Sequence, residues 1–414
     1  MRIIYFLLLL LLIVPSLFGE TFSFDAAVKQ YLEHSVELKI ARQEADKSYA
    51  DLTTAKEHPN PTLNISNEYM KLSKKSTDAS AGTGMSPSIL LVHTYETADK
   101  RQRRIDLAHR SIAFSGLLYD DIVRKNLRTL VDAYYGVLND QNDLADGKEN
   151  AKDYAKIVAV AKAKFDRGFL SQVDYQKILL QEIDYAKDVE NSALSLAVDR
   201  ENLAFMLALP SSEIIAIAPS SAINTIEPLE KYLDRINERT DYKAAKENLL
   251  ITEATLKLEK ANAVPNISFG IDYSSYGPNY EPLVGISASI PLAIFDHNEG
   301  TIEKARIGVL QAVSLSNRAL DAAKMEIIQS YKTVQSYIKI YNAMRDGFSS
   351  AKELKEKEEK IFALKGMSVL ELIDAQKSYR DYQRKMNQAF VDLHGAYALL
   401  KLNSELFLKE FKGN

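Results

Sequence analysis

The chain has 414 residues, enough for two or three ordinary domains or one elongated structure. Its formal net charge of -4 offers no global argument for nucleic acid as a partner. It contains no cysteine, which excludes disulfides, thiolate metal sites, a cysteine nucleophile and a lipidated N-terminal cysteine.

The first residues read MRIIYFLLLLLLIVPSLFGE: one early Arg, an apolar run from Ile3 to Val14, then Pro15 and small residues up to Gly19. This is the pattern of a secretory signal peptide over 1–19. A transmembrane anchor would need about 20 apolar residues and a basic flank, and the run has neither. No later run has the length and apolarity of a membrane-spanning helix. The mature chain is expected to leave the cytoplasm without a helical anchor.

The next segments read as helix, strand, loop, strand, long helix, tight turn and helix, a first repeat over 20–208. Its strands fall at 62–71 and 88–96. The first alternates weakly, with Leu63, Ile65 and Tyr69 opposite Asn64, Ser66 and Glu68. The second, SILLVHTYE, alternates poorly and rests on the repeat described below. No Pro occurs between Pro87 and Pro210, and the tract is rich in helix formers. A helix of about 70 residues would be on the order of 100 Å long, which belongs to bundles or coiled coils. Over 172–209, Leu179, Ile183, Ala186, Val189, Ala193, Ala197, Ala204 and Leu207 recur at three- and four-residue steps. They predict the buried stripe of a packed helix.

A Pro- and Ser-rich connector covers 209–238, a second repeat 239–405, and a short tail 406–414. The repeat is internal: HPNPTLNIS (58–66) matches AVPNISFG (263–270), and AKFDRGFLSQVDYQK (163–177) matches KIFALKGMSVLELIDAQKS (360–378). The strands of the second repeat, 266–274 and 283–291, alternate cleanly. Ile267, Phe269, Ile271 and Tyr273 oppose Ser268, Gly270, Asp272 and Ser274, and Val284, Ile286, Ala288 and Ile290 oppose Gly285, Ser287 and Ser289. Such strands suit either a barrel wall facing lipid or a soluble antiparallel sheet packed on a helix. Export favours the membrane. Four strands cannot close a barrel, and an open edge in lipid leaves backbone groups unsatisfied, so the membrane reading requires several copies of the chain.

This layout resembles the TolC-like outer membrane factor family over nearly the whole mature chain. IPLAIFDHNEGTIEKA (290–305) is similar to the Pro-Leu-x-x-Phe-Asp-x-Asn-x-Gly stretch of its heavy-metal efflux, CzcC-like branch. YETADKRQRRIDLA (95–108) is similar to that branch's Glu-x-Gly-Gly-Lys-Arg-x-x-Arg stretch, with Ala98 and Asp99 in place of the glycines. The resemblance implies a mainly α protein, with long helical hairpins forming a periplasmic tunnel. Each protomer of a homotrimer would give four strands to a shared 12-stranded barrel in the outer membrane. It implies a passive exit duct for heavy-metal cations or drugs, docking with a periplasmic adaptor and an inner-membrane RND-type pump. No catalysis, cofactor or nucleic acid is implied. A soluble periplasmic helical-hairpin adaptor or scaffold, and the duct of a type I protein secretion system, are the competing readings.

Three groups of residues stand out. Gly168, Phe169, Leu170 and Ser171, with Gly366, Met367 and Ser368, form the helix turns, where a Gly can take the positive φ that stops one helix before the next begins. The resemblance makes these turns the adaptor-docking tip. Glu371 and Asp374 share a helix face, being three apart. The resemblance places them, with Asp174 of the first repeat, at the narrow tunnel entrance as a ring of carboxylates. Lys100, Arg101, Arg103 and Arg104 follow directly on a strand. They read either as a band reaching lipid phosphates or as an ordinary basic first turn. Tyr69, Tyr95 and Tyr273 suit an interfacial belt. The six His form no HxxxH or HExxH pair, the Met do not cluster, and no nucleophile elbow, P-loop or GxGxxG is present.

Overall fold

The structure, a computed structural model, describes residues 20–67, 87–211, 214–219, 223–275, 281–364 and 369–406. The expected signal peptide lies outside the described residues.

The proline-free tracts form the long helices. They are α3 (Lys100–Asp166, 67 residues), α4 (Gln172–Leu207), α7 (Glu299–Leu364, 66 residues) and α8 (Val369–Asn403). Shorter elements precede and separate them: β1 (Glu20–Phe22), α1 (Phe24–His34), α2 (Val36–Lys56), β4 (Ile214–Ala216), α5 (Leu229–Leu233) and α6 (Thr240–Asn262). Four longer strands complete the chain: β2 (Thr62–Asn67), β3 (Pro87–Tyr95), β5 (Ile267–Ser274) and β6 (Leu283–Ser289). Among the described residues no helix is long and apolar enough to cross a membrane.

The chain forms two compact units, each built from both halves of the sequence. The helical unit comprises Met1–Lys39, Ile122–Ile236 and Lys324–Asn414, and the sheet unit comprises Ile40–Asp121 and Asn237–Ala323.

In the helical unit, Leu127, Leu130, Val131, Tyr134 and Leu138 of α3 are buried at the three- and four-residue steps of one helix stripe. Tyr134 also fastens a small parallel sheet of β1 and β4. Its hydroxyl donates to the Phe22 carbonyl at 2.7 Å and accepts from the Ile217 N–H at 3.1 Å. Gln141, two turns on, makes a matching pair with the Ala216 backbone at 3.0 and 2.9 Å. The stripe of α4 has the expected period with a different phase. Its buried residues are Ile178, Tyr185, Leu196, Leu203, Ala204 and Leu207, so of the expected stripe Ala204 and Leu207 are buried, while the expected Ile183 is 64% exposed. The reason is that α4 is apolar on two faces. Leu180, Ile183, Leu194, Val198 and Phe205 make a second stripe that is exposed in the single chain.

In the sheet unit, the four longer strands form one antiparallel sheet in the order β2-β3-β5-β6. Their bounds differ from expectation by a residue or two. Positions 68–71 of the first strand lie outside the described residues. The last strand stops at Ser289, because Pro291 has no N–H to carry the ladder onward. The register aligns Leu63, Leu91, Ile271 and Ile286 across the sheet, and next to them Ile65, Ile89, Tyr273 and Val284. All eight are exposed, Ile286 at 88%. This register also explains the poor alternation of β3. Ile89, Leu91, His93 and Tyr95 lie on the exposed face, while Leu90 and Val92 fall on the partly covered one.

Candidate functional site

The sheet's two faces are chemically distinct. Opposite the apolar rows, polar side chains hydrogen-bond across strands beside Leu90 and Val92: Ser66 with Ser88 at 2.7 Å, and Thr94 with Ser268 at 3.0 Å. Space is tight there. A Cβ on Gly285 would lie 2.4 Å from the Asp272 carboxylate, and one on Gly270 would lie 2.5 Å from Ser287 Oγ. A helix-packed soluble sheet buries its apolar face, whereas this sheet presents its apolar face to the surroundings. Among the described residues, strands β2 and β6 are its two edges, with no further strand beside either.

The basic residues after β3 are tied into the strand–helix junction. The Lys100 ammonium is buried and donates to the Val264 carbonyl and to Asn266 Oδ1. Burial pulls its pKa below the usual lysine range, against the pull of nearby Glu96. Arg104 forms a two-pronged pair with Glu96, one arm at 3.0 Å. That guanidinium holds the Glu96 carboxyl below the ordinary range. Arg101 donates to the Lys56 carbonyl at 2.8 Å and Arg103 to Ala98 at 3.2 Å. Just before this helix, Ala98 and Asp99 both adopt left-handed backbone, with φ of 54° and 56°. The related branch carries glycines at these two places, and left-handed geometry is what glycine provides without steric cost. The second repeat makes the same turn with Asn298 at φ 60°. Its side-chain amide donates to the Glu259 carbonyl at 2.9 Å.

At the turn between α3 and α4, Gly168 has φ 76°, and its N–H and that of Phe169 close onto Phe165 and Lys164. Ser171 then caps α4, its hydroxyl accepting from the Asp174 N–H at 3.0 Å. Phe169 is 78% exposed at the apex, while Leu170 is partly buried against a core of Tyr154, Ile157, Ile178, Tyr185, Phe362 and Leu372. That core joins the two helical hairpins. Gly366, Met367 and Ser368 lie outside the described residues.

Glu371 and Asp374 are exposed on one face of α8, with Leu372 and Ala375 buried on the other. Asp174 is differently placed. It belongs to the cap, receiving the Ser171 hydroxyl at 2.8 Å and pairing with Lys177 at 3.2 Å. These partners, Ser171 first, hold its carboxyl below the usual range.

A polar seam between α3, α4 and α8 went unread in the sequence. Asp140, Asp143 and Asp146 follow one another at three-residue steps along α3. Asn387 donates to Asp146 at 2.7 Å and Asn150 to Gln383 at 2.8 Å. Asp188 of α4 lies 3.1 Å from Arg380 and 3.7 Å from Arg384 of α8. The nearer contact has the distance of an ion pair without the alignment of a hydrogen bond. Burial, then Asp199 and Asp143, pushes Asp140 up to about 6. The spacing within NDQNDLADGKEN (139–150) was the available signal. Among the described residues no group of three or more His, Cys, Asp or Glu is placed to hold a metal ion.

Comparison with known proteins gives a consistent picture. No family model matches the chain. The cobalt-zinc-cadmium resistance protein CzcC of Cupriavidus metallidurans is 22% identical over 283 residues, 68% of this chain. The match spans 65% of that relative's length. Among solved structures, the outer membrane protein VceC of Vibrio cholerae superposes with a TM-score of 0.77 at 15% identity, covering 92% of this chain and 95% of that one. CusC, described in terms of transmembrane channel formation, gives 0.78 at 15% identity, covering 92% and 91%. The outer-membrane channel OprN gives 0.77 at 14% identity, covering 92% and 89%. The chain has the fold of these outer membrane proteins.

Proposed function

We propose that the chain is one protomer of an outer membrane channel, a passive homotrimeric exit duct for an efflux system. The observation that carries this reading is the exposed apolar face of a sheet with two open edges. In water that face is an aggregation hazard, and in lipid it is the outer wall of a barrel. The edges demand strands from other copies, since a bilayer core offers the backbone no other partner. Three copies of four strands make a twelve-stranded barrel. The uncovered second stripe of α4 supports assembly, because a further copy would bury Leu180, Leu194 and Phe205. A soluble periplasmic scaffold would have neither feature.

The helical hairpins of the three copies would form a tunnel in the periplasm. The exposed Phe169 at the Gly168 turn suits a contact with a periplasmic adaptor, which would link the duct to an RND-type pump in the inner membrane. Glu371 and Asp374 would line the tunnel entrance, six carboxylates around one axis, attracting cations. The relative named for cobalt, zinc and cadmium resistance supports divalent metal cations as cargo. Transport through such a duct needs no bond-making by the chain. The deciding experiment is the mass of detergent-extracted mature protein by light scattering. A stable trimer is expected. A monomer that stays soluble without detergent would remove the reading.

A further inference from the structure

The helical unit contains a cavity of about 440 Å³ that the duct reading does not use. It opens beside the start of α1, beneath the connector around Ile217 and Ile223, against the last turns of α8. Its wall is aromatic: Phe24 packs on Tyr135 with ring centres 5.6 Å apart, Tyr135 stacks on His394 at 6.5 Å, and Tyr397 lines the same space.

Two polar groups in that wall are unspent. Tyr135 is 6% exposed and His394 is 5% exposed, and both line the cavity. Their contacts among the described residues are ring contacts, with no hydrogen bond to the phenol or the imidazole. The neighbouring Tyr134 makes the contrast, with its hydroxyl fully engaged by backbone groups. Neither group is among the buried polar atoms sealed off without a partner, so both stay open to the cavity, where a ligand's polar group would take the place of water. Burial lowers the His394 pKa, which favours a neutral ring offering one donor and one acceptor. At the rim stand Asp25 and Lys401, one charge of each sign, which gives no net preference for an anion or a cation.

We propose that this cavity binds a planar aromatic small molecule carrying a hydroxyl or amide group and no strong net charge. Its ring would lie among Phe24, Tyr135 and Tyr397. Its polar group would bridge the Tyr135 hydroxyl and the His394 imidazole. The volume falls within the range of small-molecule sites, and a mostly apolar wall with a few convergent polar groups is their usual composition.

The test uses the full mature protein in detergent and 4-methylumbelliferone, a neutral hydroxylated bicyclic aromatic, as the probe, with binding followed by calorimetry. Saturable binding of one probe per protomer is expected. Tyr135→Phe removes the hydroxyl and His394→Phe the imidazole nitrogens while each keeps an aromatic ring, and each should weaken binding about tenfold, as for one lost hydrogen bond. Ala218→Trp, at an exposed wall position, should block the cavity while leaving both polar groups intact. Partition into detergent is non-saturable and the same in all variants. Absence of saturable binding, or equal binding by wild type and Ala218→Trp, would overturn the proposal. The oligomer mass is independent of this result, so the site and the duct stand or fall separately.

Discussion

Asn387 of α8 donates its amide to the Asp146 carboxylate of α3 at 2.7 Å, and no cation takes part in that bond. The two arginines of the seam, Arg380 and Arg384, lie against Asp188 of α4. Asp140, Asp143 and Asp146 all have raised pKa values, burial being the first cause for each. A carboxyl whose folded pKa exceeds its unfolded value makes the folded state take up protons. Its contribution is fully present below the unfolded pKa, near 4, and is lost as pH rises through the folded value, about 6 for Asp140. Helix unfolding followed by circular dichroism should therefore show a higher Tm at about pH 5 than at about pH 7.5. Asp140→Asn should raise the Tm at the higher pH and flatten the difference. A Tm that falls on acidification through this window would contradict the seam's electrostatics.

Ala98 and Asp99 hold left-handed backbone without being glycine. For an L residue this costs roughly 1–2 kcal/mol, partly offset by the greater unfolded freedom of glycine. Ala98→Gly should stabilise the protein by about 0.5–1 kcal/mol, and Asp99→Gly by less, because Asp tolerates this region better. Denaturant unfolding of the two variants measures both. Destabilisation by Ala98→Gly would mean that the turn is held by something other than its backbone.

Ile286 is the most exposed of the residues in the two apolar rows, and Ser287 is its neighbour on the opposite face. Ile286→Lys places a charge in lipid at a cost of about 2–4 kcal/mol near the bilayer midplane. Outer membrane assembly, read by gel mobility of the unheated trimer, should drop sharply for Ile286→Lys. Ser287→Lys should assemble far better. Equal yields from both variants would show that the face does not meet lipid.

Gly168 combines a positive φ with an N–H that donates to Phe165 at 2.9 Å. Gly168→Pro can keep neither feature. Trimer assembly should persist while export is lost, measured as survival under toxic metal or drug. Normal export in this variant would move adaptor docking away from the turn.

For the entrance, Glu371→Ala combined with Asp374→Ala should reduce cation selectivity in planar bilayers. Currents with unchanged reversal potential would take these carboxylates out of the ion path.

The long helices, the duplication and the sheet's alternation were legible because each is a repeated local pattern. Proline placement bounded the helical tracts, and period-two alternation marked β5 and β6. Phase was harder to read. In α4 both Tyr185 and Ile183 fit a helical stripe, and only packing against α8 and α3 decides that Tyr185 is the buried one. The basic run at Lys100 illustrates a similar limit. Its position after a strand was readable, but the carbonyl of Val264, 164 residues away, receives the ammonium. The acidic seam is a tertiary object too. Three Asp on a helix look solvated until Asn387 reaches Asp146 from 241 residues downstream and Gln383 reaches Asn150 from 233.

The two unpaired edges of the sheet have a consequence for gene dosage. In the proposed barrel, a chain whose outer strands are completed only by its neighbours would have no stable membrane form alone, so its yield would depend on how often three newly exported chains meet. Ducts would then accumulate more steeply than in proportion to synthesis. Halving expression should remove more than half of them, and chains waiting for partners would need a periplasmic holding factor to keep β2 and β6 from pairing at random.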